Sequence, residues 1–311
     1  MNLLAEYMLS PRSVREPRFD QPVAILKRCL RRVAVVLVSS DCLWKPLAKT
    51  LVRGSQYLCS VRESVEAEKI VEEYPELREA LAQRVVVAGP FEGLRYGGTR
   101  ACCSALYPKL LGTYEHEIES FIQSSLADRH DLVVDVGAAD GYYAVGFVVK
   151  SAGSNVIAFE QDERARKELG KLAELNGVSD RIQIRGKCGS GDLLALPTIR
   201  GLMIVDCEGF EEELLSPHVI QHLKTWDFII ETHDGYSADI TKRLADRFSR
   251  THSTVCVEAI HDFNKADHID LPLLKSLPRR NVDKLLSESR MHACLRWIIC
   301  TPKSPGAQLP V

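Results

Sequence analysis

The stretch "DLVVDVGAADGYYAVGF", Asp131 to Phe147, decides how the chain is read. Leu132 to Val136 is an apolar run broken only by Asp135, the pattern of a strand buried on both faces of a sheet. Small residues then follow between Gly137 and Gly141, and Tyr142 to Lys150 reads as a helix. Strand, glycine turn and helix make the opening unit of a doubly wound sheet, which binds its ligand outside the carboxyl ends of the strands. Gly137 and Gly141 are expected to withhold side chains so that a ligand can lie against the backbone. The first amides of the helix would point at that ligand.

Outward from this unit the alternation continues. Asn155 to Phe159, Ile182 to Arg185, Leu202 to Val205 and Phe228 to Ile230 read as strands with helical stretches between them. "DERARKELGKLAELNG" (Asp162 to Gly177) puts Ala165, Leu169, Leu172 and Ala173 on one face and stops at Asn176-Gly177. Thr254 to Ile260 and Leu295 to Cys300 are two later strands, far enough apart in sequence to suggest a hairpin-like closure. Upstream, "VVVAGPFEGLRY" (Val85 to Tyr96) has the grammar of a hairpin, and Ile118, Phe121, Ile122 and Leu126 share one face of a lead-in helix.

The predicted fold is α/β: a Rossmann-like, doubly wound, mostly parallel sheet of seven strands with a mainly helical N-terminal extension. Residues 1–84 are expected to be the accessory helical region and 85–303 the sheet domain, with 85–130 its hairpin and lead-in helix. Residues 304–311 are expected to be a flexible tail.

Composition narrows the function. Across 311 residues, 40 Lys and Arg meet 42 Asp and Glu, for a net charge of −2. That balance argues against a dedicated nucleic-acid binder, which needs a concentrated basic surface. The ten cysteines form no C-x-x-C pair, and several sit in apolar runs, which fits a reducing cytoplasm. No signal peptide is expected from Met1 to Asp20, and no apolar run reaches membrane-spanning length.

The ligand is read from the turn. A dinucleotide site wants G-x-G-x-x-G, whereas Ala139 stands at the middle glycine and the spacing is G-x-x-x-G. Asp135 would repel a pyrophosphate and suit the amino group and sulfonium of S-adenosylmethionine. Glu160 ends the next strand in "VIAFEQD", where an acid accepts hydrogen bonds from ribose hydroxyls. The candidate cofactor set is therefore Asp135, Gly137, Ala138, Asp140, Gly141, Tyr142, Glu160 and Gln161. Lys187 and Cys188 in "RGKCGSGD" join it beside the adenine, and Tyr114 and Glu115 are candidates to close over the amino-acid end.

Three stretches together resemble the FkbM-type family of class I S-adenosylmethionine-dependent methyltransferases. "IVDCEGFEEELL" (Ile204 to Leu215) carries its D-x-E-G motif as Asp206, Glu208 and Gly209; "FIIETHD" (Phe228 to Asp234) carries its E-x-H as Glu231 and His233. "DVGAADGYY" is the glycine turn, with Ala139 where the family usually has Asn, and Gln161 follows Glu160 where the family often has Pro. The resemblance spans Tyr114 to Pro302. It implies methyl transfer to a hydroxyl of a small molecule, sugar or lipid.

Such a hydroxyl must lose its proton as the new bond forms. His233 is the candidate base because histidine titrates near working pH and this one ends a strand facing the crevice. Asp206 and Glu208, two apart, would share a face and bind substrate hydroxyls or orient His233. With Glu231 they could alternatively hold Mg²⁺ through oxygen ligands. No metal is assigned, and the expected partner is a small-molecule hydroxyl acceptor.

Rival readings meet specific obstacles. An amino-methyltransferase of nucleic acids would place a Pro-Pro-aromatic motif where Asp206-Cys207-Glu208-Gly209 stands. Cys207 as a cytosine nucleophile lacks a preceding proline, and a short-chain dehydrogenase would need a Tyr-x-x-x-Lys pair that is absent. A non-catalytic Rossmann-fold binding protein is the alternative from a different class.

Overall fold

The computed structural model describes residues 40, 42, 58, 61–97, 105–128, 130–234, 239–288 and 295–303. Seven strands form one sheet: β1 (Leu132–Val136), β2 (Asn155–Phe159), β3 (Ile182–Arg185), β4 (Leu202–Val205), β5 (Asp227–His233), β6 (His252–Glu258) and β7 (Leu295–Pro302). Their order is β3-β2-β1-β4-β5-β7-β6. The β1–β2, β1–β4, β2–β3 and β4–β5 pairs are parallel. β7 runs antiparallel between β5 and β6. This is the doubly wound, mostly parallel seven-stranded sheet that the sequence predicts, and β6–β7 is the expected closing hairpin.

Strand alternation separates two apolar layers. Val133, Ala158, Ile204 and Ile229 face one layer; Val134, Val136, Met203, Val205, Phe228 and Ile230 face the other. Helix Tyr142–Lys150 seals the first layer with Ala144, Val145, Phe147 and Val148. Helix Glu163–Leu175 buries Ala165, Leu169, Leu172 and Ala173, as its spacing predicts. Asp162 caps its start by accepting the Arg164 and Ala165 amides at 2.7 and 3.1 Å.

Three expectations are refined. β5 runs on through Glu231, Thr232 and His233 because β7 supplies a continuous antiparallel ladder opposite them. The lead-in helix starts later than expected: Glu115 at φ 52° opens a 3-10 turn, His116–Ile118, and helix Glu119–Asp128 follows. The hairpin at 85–96 narrows to a Val85–Arg95 bridge and its neighbouring bonds.

Residues 59–311 form one compact unit, and residues 1–58 another. Helical residues 61–73 and helix Pro75–Leu81 bury Ala67, Ile70, Val71, Leu77 and Leu81 in the layer that covers the sheet. Residues 1–39 and the tail 304–311 lie outside the described residues. Among the described residues no helix is long and apolar enough to cross a membrane.

Candidate functional site

The topology brings the candidate residues together. Asp135, Ile204 and Ile229 stand level across β1, β4 and β5 on one face. Two residues further on, Gly137, Asp206 and Glu231 continue that row at the carboxyl ends, where β1 and β4 diverge into opposite windings. His233 follows on β5, and Glu115 reaches the cluster from the turn before the 3-10 helix.

His233 is buried and central. Its Nδ1 lies 2.9 Å from Glu211 Oε1, while Nε2 lies 3.6 Å from Asp206 Oδ1, 3.7 Å from Glu208 Oε2 and 3.6 Å from Glu231 Oε2. Asp206 and Glu208 reach it from a turn, with Glu208 at φ 58°, rather than from one strand face as predicted. One oxygen each of Glu115, Asp206 and Glu231 lies within 4.8 Å of the others. That donor set suits a hard cation, an ammonium or sulfonium group, or a hydroxyl-rich ligand.

Crowding sets the protonation. A third of the Asp206 side chain reaches the surface, but its Oδ1 is buried. Burial, then the charges of Glu115 and Glu208, push it up to about 8. Burial lowers the proton affinity of His233, but the Glu211 bond and the Glu231 charge outweigh it and hold the imidazole above its ordinary value. Glu115 also accepts the Tyr143 hydroxyl in a short hydrogen bond. Cys207 is kept a neutral thiol by burial and by Glu211 and Asp206, which removes the basis for a thiolate nucleophile.

The cofactor candidates divide. Glu160 bridges the turn: Oε2 accepts the Ala139 amide at 2.9 Å and Oε1 the Asp162 amide at 2.7 Å, with carboxylate lone pairs remaining for hydroxyls. Gln161 and Lys187 are exposed, and Lys187 Nζ sits 4.6 Å over the Phe210 ring. Ala138 is buried.

Five expected contacts turn inward. Asp140 pairs with buried Lys109 at 2.8 Å, and that ammonium lies 4.9 and 5.3 Å over Tyr114 and Tyr142. Asp140 and Tyr114 thus anchor the turn, and Tyr142 is buried among Phe91, Tyr114 and Tyr143. Cys188 packs into the second apolar layer with Leu193 and Leu196. Asp135, near the end of β1, is only 3% exposed.

Asp135 yields a pH test. Burial, opposed by the Ala144 amide and reinforced by the Glu160 charge, raises its carboxyl from 3.8 to about 7. The folded chain holds this proton more tightly, so the group's stabilisation is full below about pH 4 and is lost as pH rises through the folded value. Between pH 5 and pH 8, urea unfolding is expected to show the wild type losing stability relative to Asp135→Asn. Parallel pH profiles for the two proteins would place the titration elsewhere.

The glycines answer to the fold itself. A Cβ at Gly137 would stand 1.6 Å from the Asp206 carbonyl oxygen, and one at Gly141 would stand 2.7 Å from Leu169 Cγ. Both residues have φ near +90°. Their missing side chains admit the end of β4 and Leu169. Two residues of the site went unrecognised in sequence. They are Glu211, which bonds His233, and Lys109, which pairs with Asp140.

No family model and no curated protein matches this chain. Solved structures with some likeness include the O-methyltransferase TomG of Streptomyces achromogenes, crystallised with SAM, at 9% identity and TM-score 0.36, covering 44% of this chain and 70% of that one. An O-methyltransferase of Bacillus cereus in complex with SAH shares 10% identity at TM-score 0.39, covering 57% and 77%. A precorrin-6Y C5,15-methyltransferase domain of Corynebacterium diphtheriae, described as putative, shares 18% at TM-score 0.36, covering 61% and 98%. Likeness at this level adds nothing to the fold, which rests on the chain's own strand order.

Proposed function

We propose that the chain is an S-adenosylmethionine-dependent methyltransferase of FkbM type that methylates a hydroxyl on a small molecule, sugar or lipid. The observation that carries this reading is the histidine enclosed by carboxylates at the ends of β4 and β5, set beside the glycine turn of β1. Asp206 Oδ1 and Asp135 Oδ2 are buried with no hydrogen-bond partner among the described residues, and a positively charged nucleoside fits such surroundings.

The turn Gly137 to Gly141 and Glu160 would hold the nucleoside, with Glu160 on the ribose hydroxyls. Bound S-adenosylmethionine supplies an electrophilic methyl group on a cationic sulfur. The chain's share is alignment: Asp206, Glu208 and Glu231 hold the acceptor hydroxyl, and His233 Nε2 takes its proton as the oxygen attacks.

Calorimetry with S-adenosylmethionine tests the reading directly. Saturable binding by the wild type is expected, about tenfold weaker in Glu160→Gln, the loss of one charge-assisted hydrogen bond. NADH is expected to give no heat. Silence with S-adenosylmethionine would favour a non-catalytic binding protein, and binding of NADH would favour a reductase.

A further inference from the structure

Glu211 is fully buried, with 0% of its side chain exposed. Its Oε1 receives the Cys207 amide at 3.3 Å and the Gly209 amide at 3.0 Å, and faces His233 Nδ1 at 2.9 Å. Neighbouring Glu212 instead pairs with Arg243 and Arg247, and Glu213 is exposed, so the three acids of this helix start have separate roles.

We propose that Glu211 is a positioning residue: it fixes neutral His233 as the Nδ1–H tautomer and aims the Nε2 lone pair at the acceptor side of the crevice. The inference rests on His233 being the base. An ionised carboxylate only accepts hydrogen bonds, so the nitrogen facing it must carry the proton. Burial pushes Glu211 upward, but the His233 bond and the Gly209 amide outweigh it and hold the carboxyl below its ordinary value. Among the described residues Nε2 also faces Asp206 at 3.6 Å, Glu208 at 3.7 Å and Glu231 at 3.6 Å, so this nitrogen is the one on the acceptor side. The same carboxylate gathers the 207–209 turn, so one buried acid sets both walls of the acceptor pocket.

The tautomer is directly observable. The full-length chain labelled with ¹⁵N-histidine, at a pH where His233 is neutral, is read by long-range ¹H–¹⁵N correlation, with the His233 signals assigned by their loss in His233→Asn. A single Nδ1–H form is expected, retained in Glu211→Gln, which keeps an acceptor oxygen. Glu211→Met, of similar length but with no oxygen, is expected to raise the Nε2–H population by about tenfold. An Nε2–H wild type, or a Met variant with the wild-type tautomer, overturns the proposal. The wild-type measurement stands even if the Met variant does not fold. Normal turnover in His233→Ala would sink the base and leave the tautomer result intact, so the two failures are separable.

Discussion

Gly137→Ala is expected to destabilise the fold by about 4 kcal/mol, combining strain at an unfavourable backbone angle with a clash in a packed site. The angle is φ 89°, outside the range that alanine adopts readily. The clash is with backbone: the new Cβ would lie 1.6 Å from the Asp206 carbonyl oxygen and 2.7 Å from its carbon. No rotamer change can relieve that. Retreat of the backbone is also resisted, because Gly137 N donates to Phe159 O and Asp206 N donates to Val136 O, each at 2.9 Å. Gly141→Ala has a similar angle, but its nearest obstacle is the Leu169 side chain, which can shift, so its loss is expected to be smaller. Urea unfolding without added ligand measures both. Wild-type stability in Gly137→Ala, with loss confined to nucleoside binding, would restore the glycine to a ligand-clearing role.

Much of the fold was legible because β1, β2 and β4 are short, mainly apolar runs and β3 alternates as IQIR, so their bounds follow from sequence. The end of β5 was not, because "ETH" reads as a polar loop; only pairing with β7, some sixty residues downstream, keeps it extended. The site was legible where acids sit at strand ends, as for Asp206, Glu160 and Glu231. It was misread where a polar residue meets a partner far away in sequence. Asp140 looks available beside its glycine, yet Lys109 claims it from another helix. Asp135 looks open to a ligand at the end of its strand, yet it is buried. Glu211 looks like a helix-start acid favoured by the dipole, yet it alone of its run turns beneath His233. Periodicity reports which face is apolar and carries no information about which buried charges find each other.

His233→Ala is expected to bind S-adenosylmethionine within about twofold of the wild type and to lose 10²- to 10⁴-fold in turnover, roughly the contribution of a positioned base. The asymmetry follows from location. The ring's neighbours are Glu211, Asp206, Glu208 and Glu231, at the ends of β4 and β5, whereas the turn and Glu160 that would hold the nucleoside lie at β1 and β2. A base acts in its neutral form, and His233 is held above its ordinary value, so wild-type turnover should rise as pH increases through that raised value. The alanine variant should lose this limb of the profile along with its rate. Release of S-adenosylhomocysteine against a panel of hydroxyl acceptors, followed between pH 6 and pH 9, provides both readouts. Full turnover with the pH limb intact would transfer the proton to another group, for which Asp206, itself pushed up to about 8, is the nearest claimant. Loss of nucleoside affinity together with rate would instead mean that the carboxylate-ringed pocket holds the cofactor's cationic end rather than the acceptor.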